Sequence, residues 1–287
     1  MATTHTKSVA RWMMAPSVVA LFIWMIVPLA LTLYFSTLRY TYYDPITPFV
    51  GIENYTYFLS DPRFISAFQN TLILVAGVLA ITMIGGVLIA LLLDQAFYGQ
   101  TVVRLLVLAP FFVMPTVAAL VWKNMIMNPV NGVIAWALTT VGLQPINWLT
   151  DHPLLSIIII VAWQWLPFAT LILLTALQSL SEEQKEAAEM DGAGPISSFF
   201  YITLPHMKRA ITVVILIQTI FLLSIYAEIF VTTGGGEASS NLPFLIASII
   251  SLEGDVGTAS AGAIVAVVLA NIVSIFLVRL VGKNLEA

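Results

Sequence analysis

Charged residues are so rare in this chain that the stretches between them decide what it can fold into. Of its 287 residues, 9% are charged and 60% are hydrophobic, whereas a soluble domain carries roughly 25% charged residues. Several charge-free stretches reach the roughly 20 residues that a helix needs to cross a bilayer core about 30 Å thick. The sequence therefore predicts an integral membrane protein and excludes soluble enzymes, nucleic-acid binders and disordered chains.

The charge-free stretches predict an all-α membrane protein with six transmembrane helices in a single transmembrane domain, 1–287. Asparagine, glycine and proline residues interrupt a further charge-free stretch, 124–150. Lipid-exposed helix does not tolerate so many breakers, so we expect a surface helix near 133–143 there instead of a span. The six predicted spans are 12–37, 67–93, 104–127, 154–177, 210–231 and 258–281.

The distribution of lysine and arginine predicts which side of the membrane each loop occupies. If both termini are cytoplasmic, eight of the eleven basic residues lie on the inner side and three on the outer side. Because basic loops are retained in the cytoplasm, this arrangement is the expected one. The long loop 178–209, between the fourth and fifth spans, then lies inside, whereas 38–66, 128–153 and 232–257 lie outside.

The inner loop begins with a predicted short helix. Ser181 and Gln184 have the spacing of a capping box, and acidic residues follow Ser181 in the first turn, where the helix dipole favours them. Gly192 permits the left-handed backbone that ends such a helix. Pro195 suits the first turn of a second short helix, 196–203, which Pro205 is expected to end.

The net charge of the chain, −4, is concentrated in this loop. Residues 182–191 contain five acidic residues and one lysine, and the remaining charges cancel. Taken alone, an acidic loop is typical of a solvated helix that joins two spans.

The spacing of Glu-Ala-Ala (186–188), Gly192, Ile202 and Leu-Pro (204–205) resembles the signature of binding-protein-dependent ABC importer permeases. The resemblance implies that the short helix is a coupling helix, which binds a cytoplasmic ATPase subunit. Small alanines let such a helix approach a partner surface closely, and the glycine presents the helix end-on. The implied ATPase-coupling residues are Glu186, Ala187, Ala188, Asp191, Gly192, Ala193, Leu204 and Pro205.

Other segments resemble a narrower group within that family. Residues 49–55 (Phe-Val-Gly-Ile-Glu-Asn-Tyr) and 68–71 (Phe-Gln-Asn-Thr) are similar to carbohydrate-uptake permeases of the maltose and glycerol-phosphate type. Residues 232–236 (Thr-Thr-Gly-Gly-Gly) resemble the first of the two permeases in such systems. Glu237 follows the glycines where the family commonly has proline, which leaves the role of Glu237 in the outer loop open.

Two segments, 222–230 and 282–286, look most like sorbitol and mannitol permeases. The resemblance therefore implies a permease domain that moves a sugar or sugar alcohol across the bacterial cytoplasmic (inner) membrane by alternating access. The implied partners are a second, related permease, two cytoplasmic ABC ATPases and an extracytoplasmic solute-binding protein. ATP and Mg²⁺ would bind to the ATPases, and this chain would bind no cofactor.

Polar groups inside the predicted spans are the candidates for solute contact, because polar groups without partners are costly in lipid. Glu228 is the only acidic residue placed within a span, and Ser224 and Phe221 are predicted on the same helix face. In the fourth span, Trp163 and Gln164 are further candidates. The alternatives are a structural position for Glu228 near the outer surface and a packing role for the tryptophan.

The main alternative function is an ion-coupled secondary transporter of a small polar solute, which would require more carboxylates within the membrane. An enzyme is not expected. The phosphate-binding pattern Gly-x-x-x-x-Gly-Lys-Ser/Thr does not occur, nor do common hydrolase motifs. The chain has no cysteine and its three histidines are scattered, so we predict no catalytic residue and no metal site.

Overall fold

The computed structural model describes residues 4–282, and all regular structure in this range is helical apart from two isolated β-bridges. The α-helices are α1 (Thr4–Phe35), α2 (Glu53–Ser60), α3 (Pro62–Asp94), α4 (Gln100–Leu108), α5 (Pro115–Val121), α6 (Val133–Thr140), α7 (Trp148–Asp151), α8 (Pro153–Gln178), α9 (Glu182–Met190), α10 (Pro195–Ser198), α11 (Leu204–Leu222), α12 (Ala227–Thr232), α13 (Leu242–Ser248) and α14 (Val256–Gly282). A 3-10 turn follows α4 at Ala109–Phe112, and π turns lie at Trp122–Ile126, Phe199–Thr203 and Ile249–Glu253.

Five helices in this range are long and apolar enough to cross a membrane, and a bent pair makes a sixth if it is counted as one span. These numbers confirm the predicted all-α fold with six membrane helices. Which termini face the cytoplasm stays a prediction. The spans are Arg11–Phe35, Pro62–Asp94, Pro153–Gln178, Pro195–Leu222, Val256–Phe276 and the pair Gln100–Phe112 with Pro115–Ile126.

The third span differs from its prediction because it is sharply bent. The helix axis bends by 104° between the two halves, whereas the prediction was one straight helix over 104–127. Pro115 begins the second half, and Met114 before it has an extended backbone. Proline lacks an N–H donor and disfavours helical conformation in the preceding residue, so the break falls where the sequence places Pro115.

The fifth span also differs at both ends. A single helix runs from Pro195 to Leu222, whereas the prediction was 210–231. The expectation that Pro205 ends a short helix is wrong. A π turn precedes Pro205, with the Leu204 N–H bonded to the Phe199 carbonyl, and this wider turn lets the helix continue past the proline.

The described residues form two compact units. The smaller unit comprises residues up to Asp61 together with Ile246–Val268. Within it, Asn54 donates to the Ser36 and Leu38 carbonyls, both at 2.8 Å. The ring of Phe58 is fully buried, and Gly262 lies so close to it that a Cβ there would come within 2.5 Å of a ring carbon. The helix end at 36–38 is therefore fixed by buried side chains.

The larger unit comprises Pro62–Leu245 and the described residues from Leu269 onward, and its centre is the packing of α3 along α8. Gly86 permits this approach, since a Cβ there would lie 3.1 Å from the Cβ of Ala169. Gly86 and Ala90 are buried, whereas Ala76 and Ala80, farther toward the start of α3, are exposed. Two buried apolar clusters line this packing and include Leu74, Val78, Ile157, Val161, Leu222, Leu173, Met207 and Val214.

Whether these units act as one domain stays a prediction. The helix predicted near 133–143 is present as α6, and its position at the membrane surface stays a prediction. The resemblance at 282–286 lies, beyond Gly282, outside the described residues.

Candidate functional site

The predicted coupling helix is present as α9, and its C-terminal end has the predicted form. Gly192 has a φ of +80°. Its N–H donates to the Glu189 carbonyl at 3.0 Å, and the Ala193 N–H donates to the Ala188 carbonyl at 2.9 Å. This pair of bonds is a Schellman motif, which satisfies carbonyls that the helix would leave without donors. At the other end, Ser181 occupies the N-cap position, but its side chain makes no capping hydrogen bond.

The surface around Gly192 is open. Glu186 and Ala187 are exposed, whereas Ala188 is 7% exposed. No other group lies within 4 Å of the position that a Cβ on Gly192 would take. Asp191 is exposed and Ala193 is partly buried, while Leu204 and Pro205 lie at the start of α11. The loop thus presents a small-residue helix end that a partner surface can approach.

A groove of about 860 Å³ separates this loop from the end of α3. Leu91, Phe199 and Phe200 form an apolar part of its lining, and Asp94 and Glu189 add two carboxylates. The Phe199 and Phe200 rings meet edge to face with centroids 5.0 Å apart. The groove extends the open surface beside Gly192 toward the end of the second span.

Gln164, predicted as a solute contact, lies at the bend of the third span. Its side chain is 6% exposed, and its Nε2 donates to the Val113 carbonyl at 2.8 Å. That carbonyl belongs to the break before Pro115, where helical bonding is interrupted. Within residues 4–282, the buried Oε1 of Gln164 has no hydrogen-bond partner. Gln164 therefore stabilises the bend with one end and offers a free acceptor with the other.

Trp163 is partly buried and meets Trp122 edge to face, with ring centroids 5.8 Å apart. This contact also joins α8 to the second half of the third span. The structure thus gives Trp163 a packing contact, and its contact with solute stays a prediction.

The prediction that Phe221, Ser224 and Glu228 share one helix face is wrong. Phe221 lies in the last turn of α11, Ser224 lies in the connection that follows, and Glu228 lies in the separate helix α12. Phe221 is 52% exposed and packs against Trp165 with centroids 5.2 Å apart. The Ser224 hydroxyl donates to the Phe221 carbonyl at 2.7 Å.

Glu228 is 3% exposed, although it lies beyond the end of the long helix. The helix α12 that carries it packs against α5. A carboxylate removed from water in this way is costly unless other groups or a ligand compensate for its lost hydration. Glu228 therefore remains the strongest candidate for a group that acts on a polar solute.

The sequence analysis did not identify two buried polar residues, Asn241 and Gln218, that bond backbone or side-chain groups of neighbouring helices. Asn241 is fully buried, and its Nδ2 donates at 2.7 Å to the Ile225 carbonyl, in the break between α11 and α12. Gln218 is also fully buried; its Nε2 donates to the Trp165 carbonyl at 3.1 Å, and its Oε1 accepts from the Thr82 hydroxyl at 2.7 Å. The position of Gln218 within an otherwise apolar predicted span could have indicated from sequence that its side chain has a buried partner. Asn241, in contrast, looks like an ordinary loop residue in the sequence.

No group of three or more His, Asp or Glu side chains that could hold a metal ion occurs within the described range.

Residues 86–287 match the family described as binding-protein-dependent transport system inner membrane component. The trehalose/maltose transport system permease protein MalF of Thermococcus litoralis is 33% identical over 261 residues, which make up 90% of this chain and 88% of the relative. The sn-glycerol-3-phosphate transport system permease protein UgpA of Brucella abortus is 25% identical over 288 residues, 99% of this chain and 98% of the relative. A chain in the crystal structure of a bacterial alginate ABC transporter, in complex with alginate pentasaccharide-bound periplasmic protein, shares the fold with a TM-score of 0.78 at 22% identity, covering 96% of both chains.

We predict that Gln164→Leu lowers the thermal stability of the protein in detergent. The substitution leaves the partly buried Val113 carbonyl without its donor, and losing the donor to such a group costs about 1 kcal/mol or more. The matched control is Gln178→Leu, at an exposed position at the end of the same helix. The measurement is the thermal unfolding midpoint of the purified variants, and equal midpoints for the two variants would contradict a role for Gln164 at the bend.

Proposed function

The chain belongs to the family of binding-protein-dependent transport system inner membrane components. We propose that it moves a sugar or sugar alcohol across the membrane. In this proposal, α9 couples the movement to ATPase subunits. The chain is a multi-pass inner-membrane protein and the permease subunit of an ABC importer. This family membership removes the ion-coupled secondary transporter as an alternative. The carbohydrate solute, the coupling residues and the solute contacts are the proposed parts.

The observation that carries the coupling proposal is the exposed end of α9. Gly192 turns the chain with a φ of +80°, and the space around its Cα is open. The residues proposed to bind the ATPase are Glu186, Ala187, Ala188, Asp191, Gly192, Ala193, Leu204 and Pro205.

The proposed partners follow from the family to which the chain belongs. We expect two cytoplasmic ATPases, a second related permease and an extracytoplasmic solute-binding protein. ATP and Mg²⁺ bind to the ATPase subunits in this proposal, and this chain neither hydrolyses ATP nor binds a cofactor. Closure of the ATPases moves the two permeases as rigid bodies and exposes the solute cavity to alternate sides of the membrane.

The proposal of a carbohydrate solute rests on the relatives and on the chemistry of the candidate contacts. The relatives named above transport trehalose and maltose or sn-glycerol-3-phosphate, all of which carry at least two hydroxyls. Buried acceptors suit such solutes, and this chain offers the Glu228 carboxylate and the free Oε1 of Gln164. The half-exposed ring of Phe221 supplies an apolar surface for C–H groups. Trp163 and Ser224 complete the proposed path.

The finer proposal is that the solute is a sugar alcohol such as sorbitol or mannitol. It rests on the similarity of residues 222–230 to permeases for those solutes. In this structure that segment contains Ser224, Glu228 and the break between α11 and α12, so differences in this segment would alter the proposed contacts directly.

The substitution Gly192→Trp should lower ATP-driven solute uptake by at least about tenfold, because the indole prevents close docking of the ATPase; this factor corresponds to roughly 1.4 kcal/mol. Gly142→Trp is the matched control, since Gly142 also has a positive φ, +79°, and open space around it. Uptake is measured in reconstituted complexes, together with the amount of ATPase that co-purifies. Normal uptake with normal co-purification for Gly192→Trp would refute the coupling role.

Replacing Glu228 by glutamine should raise the solute concentration for half-maximal uptake by about five- to tenfold. The change removes the charge from an acceptor, and a hydrogen bond to a charged group contributes about 1 kcal/mol more than one between neutral groups. Glu237→Gln is the control, because Glu237 is exposed. If transport kinetics are the same for both variants and the native protein, Glu228 has a structural role only.

Isothermal titration of the cognate solute-binding protein with sorbitol, mannitol and maltose tests the solute class. We expect micromolar or tighter binding of at least one of the two polyols, because a delivery protein must capture dilute solute. Binding of maltose alone would overturn the polyol proposal and keep the carbohydrate proposal. Binding of none of a panel of sugars and polyols would overturn both.

A further inference from the structure

A polar cavity of about 350 Å³, whose lining includes none of the residues proposed to contact solute, lies in the larger unit. It is formed where the π turn after α5, the loop that follows α6 and the end of α12 meet. Of the described residues that line it, Lys123 alone is charged. The others are Asn124, Met127, Asn128, Pro129, Asn147, Leu149, Thr150, Thr232 and Thr233.

The ammonium of Lys123 is held at the C-terminal end of α12. Its Nζ donates to the Val231 carbonyl at 2.8 Å and to the Thr232 carbonyl at 2.9 Å. These carbonyls carry the negative end of the helix dipole, so a cation is stabilised there. Because an ammonium has three N–H donors, one donor remains for a further acceptor.

The asparagine side chains beside Lys123 also favour a ligand in the cavity that accepts hydrogen bonds. The Oδ1 of Asn128 accepts from the backbone N–H groups of Val130 and Asn131, at 2.9 and 3.0 Å, which leaves its amide N–H groups as donors. Asn147 precedes α7, but its side chain makes no capping hydrogen bond. The cavity therefore combines one cation with neutral donors, and no carboxylate lines it among the described residues.

We propose that this cavity binds the carboxylate of an aspartate or glutamate on the solute-binding protein when that protein docks. This inference rests on the proposed function and on the predicted outer position of the loops 128–153 and 232–257. The ligand chemistry follows from charge complementarity: a carboxylate accepts the third donor of Lys123 and the amide donors beside it.

The same ammonium links docking to the solute path. Lys123 binds the end of α12, and Glu228 lies in the first turn of that helix. A carboxylate that enters the cavity shares the Lys123 ammonium with the α12 carbonyls. Docking at the outer surface therefore changes the interaction that positions the helix carrying Glu228.

The first experiment uses the complete reconstituted transporter and its cognate solute-binding protein. Lys123→Met should raise the binding-protein concentration that half-maximally stimulates ATP hydrolysis by about tenfold, whereas Lys123→Arg, which keeps the charge, should restore most of the affinity. Arg39→Met is the matched control, because Arg39 is an exposed cation paired with Glu53 and is predicted on the outer side as well. An unchanged half-maximal concentration in Lys123→Met, or an equal shift in Arg39→Met, would overturn the proposal.

The second experiment needs no variant, so it remains decisive if Lys123→Met fails to fold. A carbodiimide joins a lysine amine to a carboxylate only when the two are in contact. Treatment of the docked native complex should yield a peptide that links Lys123 to an aspartate or glutamate of the binding protein, identified by mass spectrometry. Other Lys–carboxylate links without one at Lys123 would overturn the proposal.

Two further outcomes separate this proposal from others. If the binding protein does not stimulate ATP hydrolysis by the native complex at all, the proposed function fails together with this inference. If stimulation is normal in Lys123→Met but the apparent affinity for an acidic sugar such as galacturonate falls, the cavity binds solute and the docking proposal is wrong.

Discussion

A backbone carbonyl at a helix break within the membrane must find a donor outside its own helix, and this requirement explains the position of several polar side chains in the chain. The Val113 carbonyl at the bend of the third span is bonded to Gln164, and the Ile225 carbonyl after α11 is bonded to Asn241. The carbonyls at the end of α12 are bonded to Lys123. Lipid supplies no hydrogen bonds, so each departure from regular helix requires such a side chain. The irregular segments are therefore tied to specific residues in neighbouring elements.

This requirement changes how polar residues in the spans are interpreted. From sequence, Gln164 looks like a group that binds solute, yet its amide is occupied by the backbone of another span. Its carbonyl oxygen remains available, so one side chain supports the bend and can also contact a hydroxyl. In a permease, solute contacts and helix breaks are thus expected at the same places, because both need polar groups within the apolar layer. Glu228 fits the same pattern, since it follows a helix break and is almost fully buried.

The sequence predicted features that depend on local chemistry. Charge-free stretches indicated the six membrane helices, and the pattern from Ser181 to Gly192 indicated α9 and its left-handed end. The break before Glu228 could not be foreseen, because residues 223–226 contain neither proline nor glycine and the Ile225 carbonyl depends on Asn241, which is sixteen residues away. The prediction at Pro205 was wrong because a helix end was expected from sequence where the structure has none. A proline usually ends a helix, but the π turn Phe199–Thr203, which ends two residues before Pro205, accommodates it.

The continuous helix from Pro195 to Leu222, which includes the π turn Phe199–Thr203, has a mechanical consequence. Its 28 residues correspond to a rod about 42 Å long, because each residue adds about 1.5 Å. The rod starts three residues after Gly192 and ends beside the break that precedes Glu228. A tilt of about 10° at the end near Gly192 would displace the far end by roughly 7 Å, as follows from that length. In the proposed coupling, the helix acts as a lever that converts a small angular change at the ATPase into a displacement large enough to open or close a passage for a single sugar.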